Sequence, residues 1–217
     1  MSVLVLVQKS TPVGRCLLAS CKSKGSLMTR RSFSPMAWYN KQLKRAPLVT
    51  KSITSGILFG SGDVIAQVVV GNDRFDIARF GRAWIFGTFL LGPLSHLHFN
   101  FLEWLVVRKL ALQGNSMSLA KMFVDQFTYW AAGINTIYLF TLPKLEGRSV
   151  EDSVANVKER LWDVLKANWM VWPVAQFVNF RFIPVPHQLN FVLIVSLFWA
   201  TYLSWFNKQK DKQKVLK

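Results

Sequence analysis

Eight side chains that can carry charge or pair through amides recur inside otherwise apolar sequence: Asp63, Gln67, His96, Asn100, Asp125, Gln126, Gln176 and Asn179. Their spacing does not match a reactive site. No nucleophile stands beside a base, no zinc-type spacing occurs, and Gly60-Ser61-Gly62 is a lone glycine match that follows no strand. His96, His98 and Glu103 do not make a metal site, and His96 reads as hydrogen-bonded within a core. The expectation is a protein that is not an enzyme and needs no cofactor or metal. Acids and amides in hydrocarbon are costly unless they meet partners, so these residues mark helix–helix contacts or a solute path. Both readings stay open on spacing alone.

The densest case is Trp172-Pro173-Val174-Ala175-Gln176-Phe177-Val178-Asn179-Phe180-Arg181-Phe182-Ile183-Pro184, apolar enough for lipid yet bearing two amides one helical turn apart. Similar stripes run along other segments. Ser52, Gly56, Gly60, Asp63 and Gln67 share one helical face, as do Gly92, His96, Asn100 and Glu103. Asp125, Tyr129, Ala132 and Thr136 form a third stripe, with Gln126 beside it, and Trp172, Ala175, Gln176 and Asn179 a fourth. Small residues at four-residue spacing let a second helix approach closely. A weak internal echo links Gly92-Pro93-x-x-His96…Asn100-Phe101 with Trp172-Pro173-x-x-Gln176…Asn179-Phe180, as if two related hairpins packed as halves.

The elements that must position these stripes are helices in a membrane. The 217 residues are 51% apolar and only 18% charged, whereas soluble domains carry about 25% charge. Apolar segments run over 48–70, 84–107, 122–142, 168–182 and 189–206, the last without a charge. Trp84 and Trp104 are spaced for the two interfacial belts of one crossing. The expected architecture is all-α, a multi-pass bundle of about four transmembrane helices. The last two apolar segments flank Pro184 and Pro186 and could be one broken span or two pieces. Between the third and fourth segments, Val150, Val154, Val157, Leu161 and Val164 mark one face of an amphipathic helix, with Ser149 as its N-cap. That helix is expected at the membrane surface or stacked on the bundle.

Charge sets the address. Net charge is +16, and no acid precedes Asp63. An acid-free, Arg- and Ser-containing N-terminus has the character of a mitochondrial transit peptide, and Arg31-Ser32-Phe33-Ser34 places processing between Phe33 and Ser34. The organisation is then 1–33 transit peptide, 34–47 basic arm, 48–206 membrane domain and 207–217 basic tail. Both cysteines, Cys16 and Cys21, fall in the first piece. An even number of spans with two basic tails puts both tails on the matrix side. Lipid bilayer and small solutes of unknown identity are the expected partners; a second copy of the chain is another, and nucleic acid is not expected.

With these motifs the chain resembles the Mpv-seventeen/peroxisomal membrane protein (Mpv/PMP) family, its Mpv-seventeen-like protein two branch most. The resemblance covers about residues 46–205 and rests on Pro47-Leu48-Val49-Thr50-Lys51, Gly62-Asp63 with Gln67, Gly92-Pro93-x-x-His96, Asp125-Gln126, Glu146-Gly147, Asn168-Trp169-x-x-Trp172-Pro173-x-x-Gln176-x-x-Asn179-Phe180 and Trp199-x-x-Tyr202-Leu203-Ser204. The resemblance implies a small four-span protein of the mitochondrial inner or peroxisomal membrane. It implies either a weakly selective channel for small solutes or, as for the nearer branch, a membrane-anchored assembly factor for the mitochondrial ribosome. Three positions depart from the pattern: Phe99 replaces a tyrosine, Ala131 a proline that would kink the third span, and Gln188 an arginine.

Overall fold

The structure, a computed structural model, describes residues 34–70 and 74–199. The expected presequence, Phe33 of the expected processing site, Tyr202 and the C-terminal tail lie outside the described residues. Every regular element among those residues is helical. The elements are α1 (Pro35–Arg45), α2 (Pro47–Val70), α3 (Ile77–Phe86), α4 (Gly92–Leu102), α5 (Gly114–Phe127), α6 (Trp130–Leu145), α7 (Val150–Phe182) and α8 (Val185–Trp199).

Several of these join into longer rods. A wide π-helical turn, Gly87–Leu91, carries α3 directly into α4, and a second, Glu103–Lys109, extends α4. That rod packs along α2, while α7 runs beside α5 and α6. The N-terminal arm is itself a helix, α1, pinned by Tyr39, whose hydroxyl meets Thr54 at 3.1 Å and Asn190 at 2.9 Å.

α2 starts on Pro47, whose fixed φ suits the first helical turn. Its hydroxyls are absorbed locally: Thr54 Oγ1 donates to the Thr50 carbonyl and Ser55 Oγ to the Lys51 carbonyl. The small residues permit close approach. A Cβ on Gly92 would lie 2.6 Å from Ser52 Cα, and one on Gly87 would lie 2.7 Å from the Ser55 carbonyl oxygen. Five residues separate these glycines, which an α-helix would turn to different sides. The intervening π-turn, with more residues per turn, brings both against α2.

Two expectations change and one open choice is decided. The segment over 122–142 is not one helix: it breaks at Thr128, where φ is −108° and ψ −112°. The break stands just before Ala131, so this chain bends there without the proline. The amphipathic segment is not a separate surface helix but the first half of the 33-residue α7, which continues through Pro173. Ser149 does cap it, in a reciprocal box with Asp152. The face it buries is shifted, however: Ser153 and Leu165 are buried, whereas Val150 and Val154 are exposed. Finally, the last two apolar segments are two pieces. α7 ends at Phe182, Ile183 is extended, and α8 turns back into the bundle, where Leu189 and Leu193 join Phe99, Leu102 and Phe180 in the core. Gln188, in the place of arginine, is buried and donates to the Ile183 carbonyl at 3.2 Å.

Candidate functional site in the bundle interior

Asp125 of α5 is fully buried and sits at the centre of a polar network drawn from α4, α5, α7 and the break before α6. Its Oδ1 accepts from His98 Nε2 of α4 at 2.7 Å, and its Oδ2 accepts from Gln126 Nε2 at 2.5 Å and from Gln176 Nε2 of α7 at 2.9 Å. A carboxylate only accepts, so Nε2 donates to it, and the other ring nitrogen, Nδ1, pairs with the Tyr129 hydroxyl at 2.9 Å. The His98 ring also stacks on Trp130, centroids 4.0 Å apart and nearly parallel. Gln126 Oε1 accepts from Asn168 Nδ2, and Gln176 Oε1 from Asn179 Nδ2.

The helix break builds this network. Ending α5 at Phe127 leaves the Gln126 carbonyl in the last turn without an intrahelical partner, and the Trp169 indole donates to it at 2.9 Å. The same break turns Tyr129 and Trp130 toward His98 from either side. On α7, Leu165, Asn168, Trp172, Gln176 and Asn179 recur at three or four positions, so one face supplies the opposing amides.

A second cluster lies where α2 ends and α3 begins. Asp63 accepts from Arg79 Nε and from Gln67 Nε2, each at 2.7 Å. Gln67 also clamps the Asp76 backbone, accepting from its N–H at 2.7 Å and donating to its carbonyl at 3.0 Å. Asp76 in turn caps α3. Arg82 Nη2 stands 3.9 Å from Asp76 and 4.0 Å from Glu146, whose other oxygen meets Arg148 at 3.1 Å.

The eight candidate residues therefore do not share one axis. Asp125, Gln126, Gln176 and Asn179 come together; Asp63 and Gln67 form the separate charged cluster. His96 and Asn100 pair with each other at 3.1 Å, with Asn100 exposed. Glu103, of the same stripe, instead takes the buried Lys121 ammonium at 2.6 Å. The interior face of α4 is Ser95, His98, Phe99 and Leu102, which makes His98 the functional residue missed. The spacing of Ser95, Phe99 and Leu102, at four and then three positions, was its available signal.

Two cavities accompany the clusters. One of about 380 Å³ is walled by α2 to α8, mostly apolar, with Asp125, Gln126, Asn168 and Gln176 on its polar side. The other, about 460 Å³, is lined by Asp63, Arg79, Arg82 and Glu146 among apolar neighbours. Such an arrangement can hold or pass a small polar solute.

A sequence profile of the Mpv17/PMP22 family matches residues 144–204, spanning α7 and α8. Over a longer stretch, the chain is 37% identical to the protein SYM1 of Gibberella zeae across 177 residues, 79% of this chain and 97% of that one. It is 38% identical to sym-1 of Neurospora crassa, covering 80% and 99%, and 34% identical to SYM1 of Saccharomyces cerevisiae, covering 82% and 92%. The chain belongs to the Mpv17/PMP22 family. That makes it a member of a family of membrane proteins. No solved structure matches it.

The signature residues quoted for this family have visible structural work here. Gly92 touches α2, Pro93 follows it in the first turn of α4, and Trp169 caps the broken α5. Phe180 fills the core, while Trp172 and Trp199 wall the inner cavity.

Proposed function

We propose that the chain is a multi-pass protein of the mitochondrial inner membrane that lets small solutes pass through its bundle, without catalysing a reaction. The observation that carries this reading is the inner cavity, walled by helices α2 to α8 and polar along the Asp125–Gln176 side. α2 is long and apolar enough to cross alone. The α3–α4 rod and α7, each of roughly 50 Å at a helical rise and so longer than the ~30 Å of hydrocarbon, are proposed as further crossings, and the α5–α6 pair, bent at Thr128, as another. α8 runs beside α2 in the same direction. Its start meets α1 through Asn190, whose partner Tyr39 also bonds Thr54 of α2, and Ser196 and Leu197 reach the cavity beside Asp63. We therefore count α8 as a fifth crossing, which sets the C-terminal tail opposite the N-terminal one rather than beside it. Protease protection of a tag on each tail in intact mitoplasts tests this; equal protection of both contradicts it.

The passage itself is tested with the chain from Ser34 in liposomes. Release of a small neutral solute above that from empty vesicles is expected, and its absence ends the reading. A second reading, a membrane-anchored assembly factor for the mitochondrial ribosome, draws on the five lysines facing only Asp211 in the tail. Co-sedimentation with a ribosomal subunit, with translation failing in its absence, would favour it.

A further inference from the structure

The two cavities share three wall residues, Phe59, Tyr138 and Ser196. Phe59 of α2 and Tyr138 of α6 stand edge to face with ring centroids 6.0 Å apart. The buried Phe86 closes the triangle, 5.4 Å from Phe59 and 5.2 Å from Tyr138. Three helices thus each contribute one ring to a single partition. On one side lies the charged vestibule of Asp63, Arg79, Arg82 and Glu146; on the other lies the chamber walled by Asp125 and Gln176.

From this geometry we infer that Phe59, Phe86 and Tyr138 form the gate of the solute path, closed in this structure. The inference rests on the passage reading proposed above. The rings offer an apolar barrier that a hydrated solute cannot cross while they touch. The backbone beneath them is built to shift. Phe86 is the last residue before the π-turn Gly87–Leu91, and Gly87 lies under Phe59, where an added Cβ would come 2.9 Å from the Phe59 Cβ. A π-turn holds one more residue than an α-turn, so its return to α-geometry rotates Phe86 relative to α4. Aromatic pairs add only about 0.5–1.5 kcal/mol each beyond the area they bury, so a rotation that keeps the rings against apolar neighbours can part the triangle without dismantling the bundle. The vestibule then acts as the entry, where paired acids and arginines hold polar solutes, and the chamber as the inner station.

Potassium chloride conductance across planar bilayers, with sucrose release from liposomes in parallel, tests the gate. Phe59→Ala and Tyr138→Ala should each raise conductance and release several-fold over the unsubstituted chain, and Phe59→Trp should lower both. Phe59→Leu keeps apolar volume in the wall and should give an intermediate rise, which guards against an Ala variant that fails to fold. Conductance in the unsubstituted chain that none of these variants changes overturns the gate and leaves the passage standing. Silence from every form, including folded Phe59→Leu, overturns both.

Discussion

The two charged regions of the bundle are built from similar residue types under opposite conditions. Around Asp125 the acid is sealed from solvent and its oxygens are taken by His98, Gln126 and Gln176. Around Asp63 the acid is itself only 10% exposed, but its partner Arg79 is 44% exposed and open to water, and Arg82 stands at the edge of ion-pair range from two acids. A buried network is costly to break because each stranded group loses its partner and has no water to replace it. An open cluster loses little when one charge goes, because water and neighbours take over. One region holds helices together beside the chamber; the other is, on the passage reading proposed above, the place where charge would tune what approaches it.

Substitutions can break that contrast or sharpen it. Asp125→Ala strands three donors and should destabilise the protein by on the order of 3–5 kcal/mol, seen as a large drop in melting temperature in detergent. Asp63→Ala should cost about 1 kcal/mol or less in the same measurement, and equal losses at the two sites would erase the distinction. Next in size, Gly92→Ala puts a methyl 2.6 Å from Ser52 Cα and should cost about 1–3 kcal/mol, by the same melting assay. Asp63→Asn should leave stability nearly unchanged while altering the cation-to-anion permeability ratio of the reconstituted protein; an unaltered ratio removes Asp63 from the entry. The smallest effect is expected at Lys166, whose pair with Asp163 is exposed on α7: Lys166→Ala should stay within about 0.5 kcal/mol and leave permeability alone.

Much of this was legible from spacing. The close approach of α2 to its neighbour follows from Ser52, Gly56 and Gly60, and the cap at Ser149 from the acids behind it. The meeting of Asp125 with Gln176 and Asn179 was expected from stripes on separate helices. What escaped did so because spacing groups residues on a face without saying what that face meets. Gly92, His96 and Asn100 do share a face of the regular α4, but Gly92 packs on α2 and Asn100 is exposed, and the face that reaches Asp125 is the neighbouring one of Ser95, His98 and Leu102. The break at Thr128 was equally hidden, because Ala131 lacks the ring that would announce it and the bend is held by contacts from distant Trp169 and His98. The fusion of the amphipathic segment with the fourth apolar one was masked by the change in polarity along α7.

The central claim is that polar groups from separate helices face a shared, solute-accessible interior. Neither sequence cysteine lies beyond Cys21, so the chain from Ser34 offers a silent background for single introduced thiols. Asn135→Cys in the chamber wall and Phe198→Cys on the exposed outer side of α8 can be compared in liposomes with a small, charged, membrane-impermeant thiol reagent. Modification at 135, faster when Phe59→Ala is added, with position 198 protected by lipid, is the predicted result. A thiol at 135 that stays inert even beside Phe59→Ala, while 198 reacts, would contradict it.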